Sequence, residues 1–326
     1  MTIRQYSAAF LIALSLYGAP AHATTWHVRQ DGTGDFSDIS YAIGATSVNN
    51  GDTVLVGPGT YGIFENCYYL RKALHIISES GPEVTIIHNL GEPLVTPIGS
   101  TGFDVRNLSG PFTIKGFTIK WHSVGGMGGG MNGDGIDVEN ASGVIADNIF
   151  HANESWAVWV KGNSSVTIEG NLFYANGTYG VVIGANGAPY ESIVRNNTLV
   201  DDCVIAPGDC HALIQHNILY LTSLISTAPL SNLTIECNDV WNPDGSRYTG
   251  IDDQTGVNGN ISSDPLFCGV DGSGNFYLQS SSPCAGPNVP VSCSGQLMGC
   301  YPVSCTVGVK EKSWGSIKSI FGSGKR

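Results

Sequence analysis

A short motif that returns at a nearly fixed interval constrains the fold of this chain more than any other feature. An apolar residue is followed three positions later by an asparagine, and short runs of β-forming residues lie on either side. The asparagines are Asn148, Asn171, Asn197, Asn217 and Asn238, at steps of 23, 26, 20 and 21 residues. A period in this range is typical of stacked supersecondary units.

Each repeat contains two or three short β runs, and no helical periodicity interrupts them after Gly110. A propeller blade would be about twice as long, and the consensus of a leucine-rich repeat is absent. A helix of parallel strands fits instead, in which each strand pairs with its equivalents in the coils above and below, about 5 Å away. The asparagines are then expected to form an amide ladder and to accommodate left-handed backbone angles at the bends.

The composition supports an all-β chain and limits its partners. Charged residues make up 13% of the chain, there are 43 glycines, and the net charge is −12. This charge argues against bulk attraction to nucleic acid or an anionic membrane. It remains compatible with an anionic glycan, because a divalent cation such as calcium could bridge acidic groups on both partners.

Both ends of the chain differ from the repeats. Residues 1–23 read as a secretory signal peptide, with Arg4, a short apolar run and the "AHA" site that ends at Ala23. No later segment reads as a membrane span. We therefore predict a protein that is secreted, extracellular or at the cell surface, with the periplasm as another possible location.

The remaining chain divides into three parts. Residues 24–290 are predicted to form the β-helix, residues 291–306 a disulfide-rich closure, and residues 307–326 a basic tail. An aromatic stripe in the tail favours docking to export or envelope machinery, and a frayed terminus is the alternative.

The nine cysteines predict disulfides, because the chain is expected to be exported. Proximity in sequence favours Cys237 with Cys268, and Cys203 with Cys210. Four further cysteines are expected to lock the C-terminal end, with their pairing open: Cys284, Cys293, Cys300 and Cys305. Cys67 is the expected odd thiol.

Two segments carry a resemblance to a known family. They are "DGTGDFSDISYAIGATSVNNGDTVLVGPGTY" from Asp31 to Tyr61, and "DPLFCGVDGSGNFYLQSSSPCAG" from Asp264 to Gly286. With the repeats, they make the chain similar to the pectin-lyase-like superfamily of right-handed parallel β-helices. The resemblance implies an all-β, single-stranded right-handed parallel β-helix with an N-terminal capping helix near Ser40 to Thr46. The resemblance is specific for the architecture and weak for the activity, because one fold carries many functions.

One coil departs from the period through a glycine-rich insertion at residues 122–135. The insertion leads into Ile136-Asp137-Val138, which we place in register with residues 158–160 and 181–183. If the aliphatic residues point inward, Asp137 and Trp159 point outward, with Glu139 and Lys161 beside them. Trp159, Glu139 and Glu154 are therefore predicted to bind substrate, since an indole packs well against a sugar.

The predicted chemistry at this face has two forms. The segment "NGDGID" resembles the "NTDGID" motif of polygalacturonases, which implies that Asp134 is a catalytic carboxylate, although that family's other motifs are absent. A lyase would instead need a base, for which Lys120, His122 and Lys161 are the local candidates.

The predicted catalytic residues are thus Asp134, Asp137, His122 and Lys161, and calcium would bind Asp134, Asp137 and Glu139. The predicted function is the binding or processing of an acidic polysaccharide, lyase-like or hydrolase-like. The alternative is a non-catalytic surface or adhesive solenoid.

Overall fold

The computed structural model describes residues 23–63, 67–89, 101–120, 133–177, 179–184, 191–208, 210–269 and 275–305. The signal peptide up to residue 22, His122, most of the glycine-rich insertion and the basic tail at 307–326 lie outside the described residues. Among the described residues, no helix is long and apolar enough to cross a membrane.

Three parallel sheets, numbered here with strands β1 to β27 along the chain, build the molecule. Sheet A contains β1 (Thr25–Val28), β2 (Thr53–Val56), β5 (His75–Ser78), β8 (Phe112–Lys115), β11 (Gly143–Ala146), β14 (Val166–Glu169), β17 (Ser192–Arg195), β20 (Ala212–Gln215) and β23 (Leu233–Glu236). Sheet B contains β3 (Gly59–Ile63), β6 (Thr85–Asn89), β9 (Thr118–Lys120), β12 (Ile149–His151), β15 (Leu172–Tyr174), β18 (Thr198–Val200), β21 (Ile218–Tyr220) and β24 (Asp239–Trp241). Sheet C contains β4 (Tyr68–Leu70), β7 (Phe103–Arg106), β10 (Ile136–Glu139), β13 (Trp156–Lys161), β16 (Tyr179–Ile183), β19 (Val204–Ala206), β22 (Leu224–Ser226) and β25 (Tyr248–Thr249).

Each coil contributes one strand to each sheet in turn, and every strand of a coil pairs in parallel with its equivalents in the neighbouring coils. This arrangement confirms the predicted parallel β-helix. The predicted register in sheet C is also confirmed, because Asp137 pairs with Trp159 and Trp159 pairs with Val182.

The core fills the interior of the coils with stacked apolar side chains. The inward residues of sheet A follow the predicted column and include Ile114, Ile145 and Ile168, all fully buried. In sheet B, the rings of Phe150 and Phe173 stack with centroids 4.8 Å apart. Each such side chain stabilises the fold by about 1.5–3 kcal/mol relative to an exposed one.

The asparagine ladder lies at the corner between sheets A and B. The Oδ1 atom of Asn171 accepts hydrogen bonds from the backbone amide of Asn148, at 2.9 Å, and from its Nδ2 atom, at 3.1 Å. The same pattern continues through Asn197, Asn217 and Asn238 to Asn260.

The structure corrects one detail of the predicted ladder. Left-handed backbone angles fall on the residue before each ladder position, and not on the ladder asparagine itself. These residues are Gly116, Asp147, Gly170, Asn196, His216, Cys237 and Gly259. The backbone therefore changes direction at the preceding residue. The side-chain amide of the ladder asparagine then points along the stack, toward the neighbouring coils.

A short helix, α1 (Ile39–Gly44), closes the N-terminal end of the core. Asp38 caps it by accepting a hydrogen bond from the Ser40 amide, and Ile39 and Ala42 are buried against the first coils. This helix is the predicted capping helix, displaced slightly from residues 40–46.

The C-terminal segment packs along the outer side of sheet B. It includes the antiparallel hairpin of β26 (Phe267–Gly269) and β27 (Asn275–Leu278), and short 3-10 helices at Gly286–Asn288 and Val291–Cys293. A further 3-10 helix spans Leu230–Asn232. The amide of Gly299 donates to the carbonyl of His216, and the amide of Cys300 donates to Thr198 Oγ1.

The disulfides correct the predicted pairing. Cys237 bonds Cys293 and Cys268 bonds Cys305, so that Cys237 is not paired with Cys268. Cys203 and Cys210 are both free and buried. Sequence proximity failed because the C-terminal segment folds back along the solenoid and brings distant cysteines together. Each bond ties this segment either to the last coils or to its own hairpin.

Candidate functional site

The candidate site is the outward face of sheet C, where five successive strands place polar and aromatic side chains in two columns. Residues alternate between core and surface along each strand. One outward column runs through Tyr69, Asp104, Asp137, Trp159 and Val182. The other places Arg106, Glu139 and Lys161 side by side. Equivalent positions on neighbouring strands lie about 5 Å apart, so that charged groups in both columns touch.

Arg106 connects three carboxylates at the centre of this face. Its Nε atom donates to Asp104 Oδ1 at 2.6 Å and its Nη2 atom donates to Asp137 Oδ2 at 3.2 Å. Its Nη1 atom lies 3.0 Å from Glu139 Oε2. A guanidinium group carries five donors in a rigid fork, which is why one arginine can hold several carboxylates in place.

Two further cations complete the group, which is named here the sheet C cluster: Arg71, Asp104, Arg106, Asp137, Glu139 and Lys161. Arg71 Nη1 donates to Asp104 Oδ1 at 3.2 Å and to the Asp104 carbonyl at 2.7 Å. Lys161 Nζ donates to Asp137 Oδ2 at 2.9 Å and lies 3.8 Å from Glu139 Oε2. Three negative and three positive side chains therefore interlock across four strands.

The cluster is layered, with two carboxylates beneath the cations. The side chains of Asp104 and Asp137 are 5% and 6% exposed, whereas that of Arg71 is 44% exposed. Burial raises the pKa of Asp137, although Lys161 and Arg106 oppose this effect. Asp137 Oδ1 is buried and has no hydrogen-bond partner among the described residues. The surface presented to a ligand consequently consists largely of guanidinium and ammonium groups together with Glu139.

Two tryptophans border the cluster on β13. The rings of Trp156 and Trp159 meet edge to face with centroids 4.3 Å apart. Lys161 Nζ lies 3.8 Å from the centroid of a Trp159 ring, in a cation–π contact. Trp159 is half-buried and not fully exposed as the sequence suggested. A sugar that stacks on this indole would have to share it with the lysine.

The other predicted residues occupy separate positions. Asp134 is fully buried just before β10, where its Oδ1 atom accepts a hydrogen bond from the Trp156 amide at 3.1 Å. Glu154 is exposed in the turn between β12 and β13. Lys120 lies on sheet B, in register with His88 and His151, and burial lowers its pKa. The described contacts therefore bring together Asp137, Glu139, Lys161 and Trp159.

The carboxylates proposed for calcium do not form a calcium site in this arrangement. Asp137 and Glu139 are bridged by Arg106 and Lys161, and Asp134 binds the backbone of the next coil. Within the described ranges, no group of three His, Cys, Asp or Glu side chains is spaced to hold a metal ion. Calcium prefers six to eight oxygen ligands, which these ion-paired groups do not supply.

Half of the cluster, namely Arg71, Asp104 and Arg106, was not predicted from the sequence. Asp104 and Arg106 lie in Phe103-Asp104-Val105-Arg106, which pairs residue by residue with Ile136-Asp137-Val138-Glu139. The two segments share the pattern of an aromatic or aliphatic residue, Asp, Val and a charged residue. An alignment of these segments would have placed Asp104 beside Asp137 and Arg106 beside Glu139.

A comparison with family models supports the parallel β-helix architecture. A family model described as "Right handed beta helix region" matches residues 28–261. The crystal structure of pectate lyase Pel9A is similar, with a TM-score of 0.44 and 14% sequence identity, over 86% of this chain and 96% of that chain. Comparison with curated proteins gives no match. Because the family model spans well over half of the sequence, this chain belongs to the right-handed β-helix family.

Proposed function

We propose that the outward face of sheet C binds an acidic polysaccharide through the sheet C cluster. The observation that carries this proposal is the layering of the charges. Asp104 and Asp137 are buried beneath Arg71, Arg106 and Lys161, and their ion pairs hold these partly exposed cations at fixed positions. A ligand carboxylate would meet cations that are already ordered, which reduces the entropic cost of binding.

Arg71 is the cation best placed to contact a ligand. In the described part of the chain its hydrogen bonds all come from Nη1, so that Nε and Nη2 remain available to a bidentate carboxylate. Its guanidinium group lies 5.2 Å from the Tyr69 ring centroid, which orients the side chain. Trp159, at the other end of the cluster, would supply an aromatic surface to the apolar side of a sugar.

Cleavage on this face is the enzymatic form of the same proposal. In a lyase reaction, Lys161 as the base would take the proton next to the uronate carboxyl and the glycosidic C–O bond would break. The departing sugar oxygen would take up a proton to become a hydroxyl, and the other fragment would carry the unsaturated sugar. In a hydrolase reaction, Asp134 and Asp137 would serve as the paired carboxylates. Because Lys161 contacts two carboxylates and Asp134 is fully buried, binding is the stronger part of the proposal.

A non-catalytic surface or adhesive solenoid is the second candidate. The mutual ion pairing of all six cluster residues favours it, since such a network also stabilises neighbouring coils. In either case we place the protein outside the cytoplasm, at the cell surface or free in the medium. The two disulfides support this location, because disulfides persist in oxidising compartments.

The experiment compares binding of the full chain to polygalacturonate, alginate and a neutral glucan, each with and without calcium. Arg71→Met and Trp159→Ala are the test variants, and we expect each to weaken binding to the acidic polymers about tenfold, equivalent to about 1.4 kcal/mol. Lys115→Met is the matched control. Lys115 lies on strand β8 of sheet A, away from the sheet C cluster, and forms an exposed ion pair with Asp147.

The same samples are assayed for new reducing ends and for the ultraviolet absorbance of unsaturated products. Either signal, abolished by Lys161→Met, would assign cleavage to this face. If no acidic polymer binds and no product forms, the acidic-polysaccharide proposal is wrong and the structural solenoid is favoured. If the Arg71 and Lys115 variants behave alike, the class of ligand stands but the site does not.

A further inference from the structure

A cavity lies between the capping helix and the first coil. The cavity has a volume of about 680 Å³ and is open on one side to solvent. Its walls come from α1 on one side and from the ends of β3 and β4 on the other. The principal side chains that line it are those of Asp38, Ser40, Tyr41, Ile63, Tyr68 and Tyr69.

The floor of the cavity contains an unsatisfied polar group. Tyr68 is 3% exposed, and its hydroxyl has no hydrogen-bond partner in the described part of the chain. A buried hydroxyl without a partner costs free energy, which a ligand that bonds to it would recover. Burial raises the pKa of Tyr68, and the nearby charge of Asp38 adds to this effect, so the hydroxyl remains a neutral donor.

Asp38 offers an acceptor at the same place. As the cap of α1, it accepts hydrogen bonds from the Ser40 amide at 2.8 Å and the Ser40 hydroxyl at 2.6 Å, both at Oδ1. Within the described contacts, Oδ2 is left to accept from a ligand hydroxyl. A carboxylate accepts through two oxygens and about four lone pairs, so that capping does not exhaust it.

The mouth of the cavity is aromatic. Tyr41 is 64% exposed and Tyr69 is 41% exposed, although large apolar side chains at other positions of the described chain are mostly buried. An exposed aromatic ring beside convergent polar groups is the usual composition of a sugar site, since the ring covers the apolar side of a pyranose. Among the described residues that line the cavity, the charged side chain is the carboxylate of Asp38, with no lysine or arginine beside it. The carboxylate therefore disfavours an anionic sugar beside Asp38, whereas Arg71 lies against Tyr69 on the sheet C side of the mouth.

We propose that this cavity binds the terminal residue of a neutral glycan. The sugar would lie against Tyr41 at the mouth, donate a hydroxyl to Asp38 Oδ2 and accept from the Tyr68 hydroxyl at the floor. The capping helix closes the cavity on one side, so that it fits the end of a chain and not its middle. The cavity adjoins the sheet C cluster at Tyr69, but its Asp38 and Tyr68 groups are separate from that cluster, so this proposal does not rest on the function proposed for it.

The test uses the full chain and methyl glycosides of glucose, galactose, mannose and N-acetylglucosamine, with methyl galacturonoside as the anionic comparison. Saturation-transfer NMR detects binding, and titration measures affinity. At least one neutral glycoside is expected to bind at millimolar concentration. Tyr68→Phe should weaken that binding about tenfold, and so should Asp38→Asn, because Asn also caps helices well and keeps α1 in place.

Tyr248→Phe is the matched control, since the Tyr248 hydroxyl is also buried without a partner but lies in the last coil. It should bind as the wild type does. The proposal is overturned if no neutral glycoside binds, if methyl galacturonoside binds more tightly, or if Tyr68→Phe and Tyr248→Phe are indistinguishable. If Lys161→Met abolished binding of the neutral glycoside, the ligand would be assigned to sheet C, and the cavity proposal would be overturned.

Discussion

The asparagine ladder and the sheet C cluster are both columns of polar side chains stacked from coil to coil, yet they differ in how completely their groups are paired. In the ladder, Asn171, Asn197 and Asn217 each donate and accept along the stack, and all are fully buried. In the cluster, Asp137 Oδ1 and the Nε and Nη2 atoms of Arg71 form no hydrogen bond to another described residue. A saturated neutral column supports the scaffold, whereas an unsaturated charged one can still engage a ligand.

Breaking the ladder is expected to have the largest effect on stability. Asn197→Ala removes hydrogen bonds from the amide and Nδ2 of Asn171, and to the carbonyl of Ile168. At least two buried backbone groups then lose their partners, at about 1–3 kcal/mol each. We expect the free energy of unfolding, measured by denaturant titration, to fall by about 4 kcal/mol.

Asn163→Ala is the control for that measurement. Asn163 is exposed, and in the described contacts it takes part through its backbone amide. Its replacement should change the free energy of unfolding by less than about 0.5 kcal/mol. Equal effects at the two positions would show that the ladder contributes no more than any surface asparagine.

A second, shorter ladder lies between sheets B and C, and it ends in a carboxylate. Asn153 donates to Asn176, and Asn176 donates to Asp202 Oδ2 through its Nδ2 atom at 2.9 Å. Asp202 Oδ1 is buried without a partner among the described residues, and burial raises the Asp202 pKa to about 7. Asp202 therefore occupies the position of a ladder asparagine, but like Asp137 it has a buried carboxylate oxygen without a hydrogen-bond partner among the described residues.

Asp202→Asn should complete this ladder. The Nδ2 atoms of Asn153 and Asn176 donate to the carbonyls of Ile119 and Phe150, so the new amide should reach the carbonyl of Phe173. The unfolded carboxyl titrates near 3.8 and the folded one near 7. The folded protein therefore binds an extra proton between these values, and wild-type stability falls as pH rises through this window.

The measurement is the free energy of unfolding of both proteins from pH 4 to pH 8. The variant should match the wild type near pH 4 and exceed it above pH 7 by on the order of 4 kcal/mol, given 1.36 kcal/mol per pKa unit and the rise from 3.8 to about 7. Asp244→Asn, at an exposed position, should follow the wild type throughout. A wild-type minus variant difference that stays constant with pH would refute a raised pKa at Asp202.

These residues also show how far the sequence predicts the molecule. The column of Ile145 and Asn148 predicts the coil, the inward face and the register, because a period fixes which residues become neighbours. The same period predicts that Asp137 and Trp159 are adjacent, and the structure confirms it. Periodicity predicts which residues become neighbours in adjacent coils. Contacts between such neighbours make up most of a solenoid fold.

The content of the site was less predictable. Arg106 contacts Asp104 on its own strand, β7, and contacts Asp137 and Glu139 on the neighbouring strand, β10. No single spacing in the sequence predicts all three contacts. The Cys237–Cys293 bond likewise depends on how the C-terminal segment folds back, which the repeat does not specify. The burial of Asp134 follows from local packing around its contact with Trp156, to which a motif match is insensitive.

The smallest expected effect comes from removing the guanidinium group at the centre of the cluster. Arg106→Met leaves Asp104 and Asp137 with fewer cations above them, and breaking a buried ion pair costs about 3–5 kcal/mol. Arg106 is 35% exposed, and Arg71 and Lys161 continue to contact the two carboxylates. Solvent screening and these remaining partners should reduce the loss to about 2 kcal/mol.

The matched control is Arg195→Met on sheet A. Arg195 pairs with Glu169 in the neighbouring coil, and both side chains are substantially exposed. An exposed pair contributes about 0–1 kcal/mol and is weakened by salt. Denaturant titrations at low and high ionic strength should therefore separate the two variants, with the Arg106 loss persisting in salt. If both losses were small and disappeared in salt, the sheet C cluster would be an ordinary surface network, and its buried carboxylates would not hold the cations in place for a ligand.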